Sequence, residues 1–215
     1  MRSIGYTLII LLAPFLILIN FRLLVFSQNY YHLEFAKLGV YDQFQSKEVV
    51  DSESKGLISY LCCGGNVDED FFTEKEILHM KDVKNLIKLA QIQLLMQAVV
   101  ITICTFLLVT KKAYKILFNS LIWGSIVSIA SVLVLGLSSH INFDFAFLKF
   151  HQLLFNNDLW LLPADSNLIK LFPAQFFADF ANRIAEQTIV MAITIVVMLK
   201  FFQHLKIPKQ VRNDS

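Results

Sequence analysis

The sequence predicts an all-α membrane protein: four transmembrane helices, with an extracytoplasmic cap formed by the segments between spans one and two and between spans three and four. Three observations carry this. Of 215 residues, 56% are apolar and only 17% charged, with a mean hydropathy of +0.58, a composition too apolar for an ordinary soluble domain. Four stretches reach the roughly 20 apolar residues that a bilayer crossing needs. They lie at about 6–26, 89–109, 116–137 and 184–202. The charges are also segregated, because every acidic residue except Asp214 falls in or beside 27–88 and 138–183. The net charge of +2 hides this segregation and gives no support to nucleic-acid binding.

The first stretch follows Arg2 but is too long for a signal-peptide core, and no small-x-small cleavage site follows it, so it is read as a span. The fourth is the weakest, with Arg183 and Glu186 at its outer boundary. Basic residues of short connections orient the chain. Lys111, Lys112 and Lys115 stand without an acid between spans two and three, and Lys206, Lys209 and Arg212 oppose only Asp214 in the tail. Both termini are therefore expected in the cytoplasm, and the two long connections outside. No linker, repeat or low-complexity tract divides 1–215, which reads as a single membrane domain.

In the first outer segment (27–88), Tyr30, Tyr31 and His32 stand close to the membrane exit, where amphipathic rings are comfortable. The stretch SKEVVDSESKGLISYLCCGG reads as a short polar helix or turn, a strand, and a turn at Gly64-Gly65. Clearer is FFTEKEILHMKDVKNLIKLAQIQLL. Thr73 and Glu76 form a capping-box pattern, and Ile77, Met80, Val83, Leu86 or Ile87, and Ala90 recur at helical spacing into the second span. His79 and Asp82, three residues apart, share a face of that helix.

The second outer segment (138–183) is apolar for a connection and is interrupted by Pro163 and Pro173. Leaving a large apolar side chain in water forgoes about 1.5–3 kcal/mol, so its aromatic residues should pack at the lipid interface or against the first segment. Within it, FHQLLFNNDLW reads as a lid loop that holds His151 among Phe150, Phe155 and Trp160. His32, His79, His140 and His151 all fall on the outer side. Only His79 and His151 combine an apolar setting with a neighbouring carboxylate, Asp82 and Asp158. A neutral imidazole in such a setting suits general acid/base work at neutral pH.

Other chemistries lack their patterns. There is no G-x-S-x-G, P-loop or G-x-G-x-x-G, and no zinc-ligand spacing, so no metal site is assigned. Charges inside the spans are nearly absent, which disfavours ion transport. Cys62 and Cys63 are adjacent and Cys104 lies in a span, so no long-loop disulfide can be drawn. Cys62-Cys63-Gly64 is similar to the CCG signature of tetraspanins, but there the motif lies between spans three and four and pairs with further cysteines. Here it lies between spans one and two without partners, and that resemblance is discarded.

The F-H-x-x-x-F-x-N-D-x-W run from Phe150 to Trp160, with EILHMKDVKNL ahead of the second span, resembles the bacterial integral membrane family of lipoprotein intramolecular transacylases, Lit. The resemblance extends to length, four-span layout and the position of both histidine segments. It implies an acyltransferase of the bacterial cell membrane, working at the outer membrane-water interface on a diacylated lipoprotein. Such enzymes move the sn-2 acyl chain from the glyceryl group to the α-amine of the N-terminal cysteine. It implies no cofactor, and besides substrate the expected partners are membrane lipids. The chain is expected to be a monomer.

On this resemblance His151 and His79 are the catalytic pair, one as base and the other as acid or oxyanion donor, in an order the sequence leaves open. Phe150, Phe155, Asp158, Trp160, Asp82 and Arg183 are the expected substrate-contacting residues. The rings exclude water, the aspartates hold the imidazoles, and Arg183 meets a carbonyl or lipid oxygen or serves as a snorkelling interface residue. The competing class is a four-helix membrane protein that binds a lipid or protein through its outer cap without turnover.

Overall fold

The structure, a computed structural model, describes residues 1–206 and, of these, the side chains of all but 137–141 and 205–206. His140 and the basic tail from Lys206 onward therefore lie outside the described side chains. The elements are eight α-helices: α1 (Arg2–Val25), α2 (Gln28–Lys37), α3 (Lys47–Cys63), α4 (Glu74–Thr110), α5 (Tyr114–Ile141), α6 (Phe143–Leu154), α7 (Asn167–Leu171) and α8 (Ala174–Lys206). A 3-10 turn, Val40–Gln43, precedes α3, and no strand occurs among the described residues. α1, α4, α5 and α8 are long and apolar enough to cross a membrane, as the four hydropathic stretches require.

The chain divides into two compact units. Among the described residues, the first comprises 1–20, 93–135 and 184–206, the apolar parts of the four long helices. Its helices approach closely through small residues. A Cβ on Gly124 would lie 2.8 Å from Leu12 Cδ2, and one on Gly5 would lie 2.7 Å from Ser120 Oγ. Such contacts supply the van der Waals packing on which helix association in lipid depends. Asn20, 2% exposed, donates to Leu16 O at 2.8 Å and to Thr188 Oγ1 at 3.2 Å, so α1 and α8 share a satisfied polar contact. Leu95, Phe106, Val134 and Val197 are each more than 60% exposed on the helix surfaces, as lipid-facing residues should be.

The second unit, Phe21–Ile92 with Gly136–Arg183, joins the two long connections around an aromatic core. Phe35, fully buried, meets Phe172 at 5.6 Å and Phe176 at 5.9 Å, while Tyr31 donates its hydroxyl to Val25 O at 2.9 Å. Lys37 ties α2 to α8 by pairing with Glu34 at 2.8 Å and Asp179 at 2.7 Å. The aromatic residues of the second segment thus find their cover in the first.

Two readings need correction. The stretch from Lys47 to Cys63 is helical throughout and contains no strand. Val50, Ser54, Leu57, Ile58 and Leu61 bury one face at helical spacing, Ser46 caps Val49 N at 3.3 Å, and Gly64 ends the helix at φ 89°. The stretch read as a strand is therefore part of an amphipathic helix. His151 stands on the last turn of α6 and not in a loop, because Asn142 accepts from Phe145 N at 3.0 Å and starts a helix that ends only at Leu154. Cys62 and Cys63 are joined to each other across one peptide bond, closing no longer loop, and Cys104 is free and buried.

Candidate active site

His79 is set by the capping box that begins α4. Thr73 donates N–H and hydroxyl to Glu76 Oε2, both at 2.7 Å, and its hydroxyl oxygen accepts from Glu76 N at 3.4 Å. The other oxygen of Glu76 accepts from Leu168 N on α7 at 2.7 Å, and Asn167 donates to Phe71 O at 2.7 Å. The start of α4 is thereby fixed to the second connection. One turn further, ahead of the apolar stretch, stands His79, 7% exposed.

His151 reaches the same place from α6 and is 8% exposed. The imidazole centroids are 6.2 Å apart, at an interplanar angle of 34°. Phe155 touches both rings, at 5.3 Å from His79 and 5.6 Å from His151. Phe147 at 4.3 Å, Trp160 at 5.0 Å and Phe150 at 5.5 Å complete the surround of His151. The expected walls Phe150, Phe155 and Trp160 are all present. Phe147, and Phe177 behind it at 5.3 Å, belong to the same wall and were missed, although Phe147 sits four residues before His151 on one helix face.

The two imidazoles differ electrostatically. His151 Nδ1 lies 2.8 Å from Phe147 O; a carbonyl only accepts, so Nδ1 carries the proton and the neutral ring keeps its lone pair on Nε2. Burial lowers the His151 pKa and this hydrogen bond opposes the fall. His79 has no such support. Burial first, and then the neighbouring His151, push it from 6.5 down to about 4 against a smaller upward pull from Asp82, while Nδ1 is buried without a hydrogen-bond partner. Both rings are held neutral near pH 7, and His151 is the more basic by environment.

This shift has a testable sign. The folded state takes up fewer protons than the unfolded chain between pH 6.5 and about 4, so stability is full above pH 6.5 and declines as pH falls towards 4. Thermal unfolding in detergent from pH 7.5 to 4.5 should show that decline, and His79→Gln should flatten it relative to the parent. An equal slope in both proteins would contradict the assignment.

The remaining expected residues fall in several places. Among the described residues neither histidine contacts a carboxylate; the histidine that does is His32, whose Nδ1 lies 2.8 Å from Asp51 Oδ1. Asp82 Oδ2 accepts from Asn157 Nδ2 at 2.9 Å. Asp158, with Gln152, Asn156, Asn157 and the rings of Phe155 and Trp160, lines an open cavity of about 400 Å³. Arg183 lies on α8, where its charge acts on Tyr30 of α2. No group of three His, Cys, Asp or Glu side chains suited to a metal occurs among the described residues.

The family model described as "Lipoprotein intramolecular transacylase Lit" matches residues 6–177, most of the chain. The chain belongs to the Lit family. Among solved structures, the membrane-integral lipoprotein intramolecular transacylase Lit from Bacillus cereus superposes with a TM-score of 0.86 at 25% identity, over 95% of this chain and 96% of that one. Two variants of B. cereus Lit, with one histidine replaced by arginine or by alanine, match at TM-score 0.81 and 24% identity over 95% of this chain and 92% and 94% of theirs. A protein of Aquifex aeolicus (strain VF5), known only as uncharacterized, is 27% identical over 147 residues, and the match spans 61% of its length. The four-span all-α membrane fold expected from the sequence is the Lit fold.

Proposed function

We propose that this chain is a lipoprotein intramolecular transacylase of the bacterial cell membrane. Its substrate is a lipoprotein with a diacylglyceryl group on the N-terminal cysteine, and it moves the sn-2 acyl chain to that cysteine's α-amine. The carrying observation is the pair of buried imidazoles, 6.2 Å apart in an aromatic enclosure, in a chain of the Lit family. Ester-to-amide exchange is downhill and needs no nucleotide. The difficulty is to bring two parts of one flexible molecule together, and a confined pocket that holds a near-attack geometry supplies up to about 7–11 kcal/mol.

The α-amine nitrogen attacks the ester carbonyl carbon, forming the C–N bond and a tetrahedral oxyanion. His151 Nε2, the free lone pair, takes the proton that the amine loses. His79, held neutral, donates a hydrogen bond from Nε2 to the oxyanion, since its Nδ1 is walled in. The C–O bond then breaks, and the glyceryl oxygen leaves as a hydroxyl with the proton carried by His151. In this reading one imidazole of the expected acid/base pair shuttles the proton and the other donates a hydrogen bond to the oxyanion. Phe150, Phe155 and Trp160 keep out the water that would hydrolyse the ester. The site is placed at the outer interface, with both termini cytoplasmic, on the charge asymmetry of the connections.

Tandem mass spectrometry of the N-terminal lipopeptide, after incubation with the purified protein, tests this. An isomer of unchanged mass bearing N-acyl cysteine and a mono-acyl glyceryl thioether is expected. A product lighter by one acyl chain would mean hydrolysis. An unchanged lipopeptide would favour a binding protein that uses the same pocket without turnover.

A further inference from the structure

We infer that Asn157 is a positioning residue whose side-chain amide, through Asp82, fastens the 155–160 turn to α4 and so sets how the two imidazoles face each other. The inference builds on the transacylase reading. The amide works at both ends: Nδ2 donates to Asp82 Oδ2 at 2.9 Å, and Oδ1 accepts from Leu159 N at 3.0 Å. Only a carboxamide offers a donor and an acceptor side by side in this way.

Its two connections lead to the two histidines. Asp82 follows His79 by three residues, so the anchor sits on the same face of α4. Trp160, three residues after Asn157, packs on His151 at 5.0 Å, and Phe155, two residues before it, touches both imidazoles. The histidines meet each other through rings alone, which fix direction poorly; the bond from Asn157 to Asp82 is polar and directional. Lys75 Nζ also reaches across, to Leu161 O at 2.6 Å, but at the end of a long exposed side chain. Because Asn157 is itself exposed, its bonds add little to global stability, and its contribution should appear in the geometry of the site.

The test is a set of variants on the full-length protein in detergent with a synthetic diacylated lipopeptide. Asn157→Ala, Asp82→Ala and Asn157→Asp should each lower kcat about tenfold or more at unchanged KM and melting temperature, the scale expected when reacting groups are misplaced by a fraction of an ångström. The double alanine variant should be no worse than either single one. The exchange Asp82→Asn with Asn157→Asp should restore kcat, because the amide then donates from α4 while Leu159 N keeps an oxygen acceptor. A second readout needs no substrate: with Trp123→Phe in the background, Trp160 is the sole tryptophan. Its emission should shift in the single variants and return in the exchange. Additive alanine effects, no recovery in the exchange, or unmoved Trp160 emission would each overturn the inference. The fluorescence arm stands even if the wild-type protein proves inactive on lipopeptide, which separates failure of this inference from failure of the function.

Discussion

His151→Ala is expected to lower formation of N-acyl cysteine by about 10²–10⁴-fold, the range that a positioned proton-transfer group contributes. His79→Ala should cost about 10²–10³-fold, as loss of an oxyanion donor does. In the proposed mechanism both rings act on one tetrahedral species, so the double variant should be little worse than His151→Ala alone. Initial rates from tandem mass spectrometry measure all three, with circular dichroism confirming that each protein remains folded. Retention of near-parent rates in both single variants would remove the histidines from the mechanism. Full additivity would mean they serve separate steps.

The second large effect is on stability. Glu76 is 1% exposed and accepts three hydrogen bonds at 2.7 Å, two from Thr73 and one from Leu168 N. Leaving a buried donor unpaired costs roughly 1–3 kcal/mol, so Glu76→Ala should destabilise the fold by on the order of 3–5 kcal/mol. Glu76→Gln keeps one acceptor oxygen but turns an NH₂ group towards donors, and should lie between alanine and the parent. Thermal unfolding in detergent measures both. A change within about 0.5 kcal/mol, the range of ordinary surface substitutions, would show that the junction does not hold the fold together.

The same residue marks the limit of what the sequence reveals. Thr73 and Glu76 are three apart, so their reciprocal capping can be read from local spacing alone. The bond from Glu76 to Leu168 spans 92 positions and has no local signature. Likewise the four spans follow from apolar length, and the aromatic setting of His151 follows from its sequence neighbours Phe150, Phe155 and Trp160. The course of α3 is not legible locally, because the buried partners that cover its face, Phe35 and Phe172 among them, come from elsewhere in the chain. Asp82 was expected to hold His79. The structure gives its carboxylate to Asn157, and nothing local to Asp82 could have shown which turn would arrive there.

One feature of α4 bears on how such chains vary in length. It runs unbroken for 37 residues, and His79 stands ten positions before the apolar stretch begins at Leu89. An uninterrupted helix advances about 1.5 Å and turns about 100° per residue. A single insertion between His79 and Leu89 would swing the imidazole a quarter-circle away from His151 while changing its height by little more than an atomic radius. The helix is thus a ruler with a compass attached, in which distance and bearing cannot be adjusted separately. Insertions and deletions should be easier to absorb at 64–66 and 163–165, away from the Thr73 capping box and the Ser166 cap, than in the ten residues that carry the histidine.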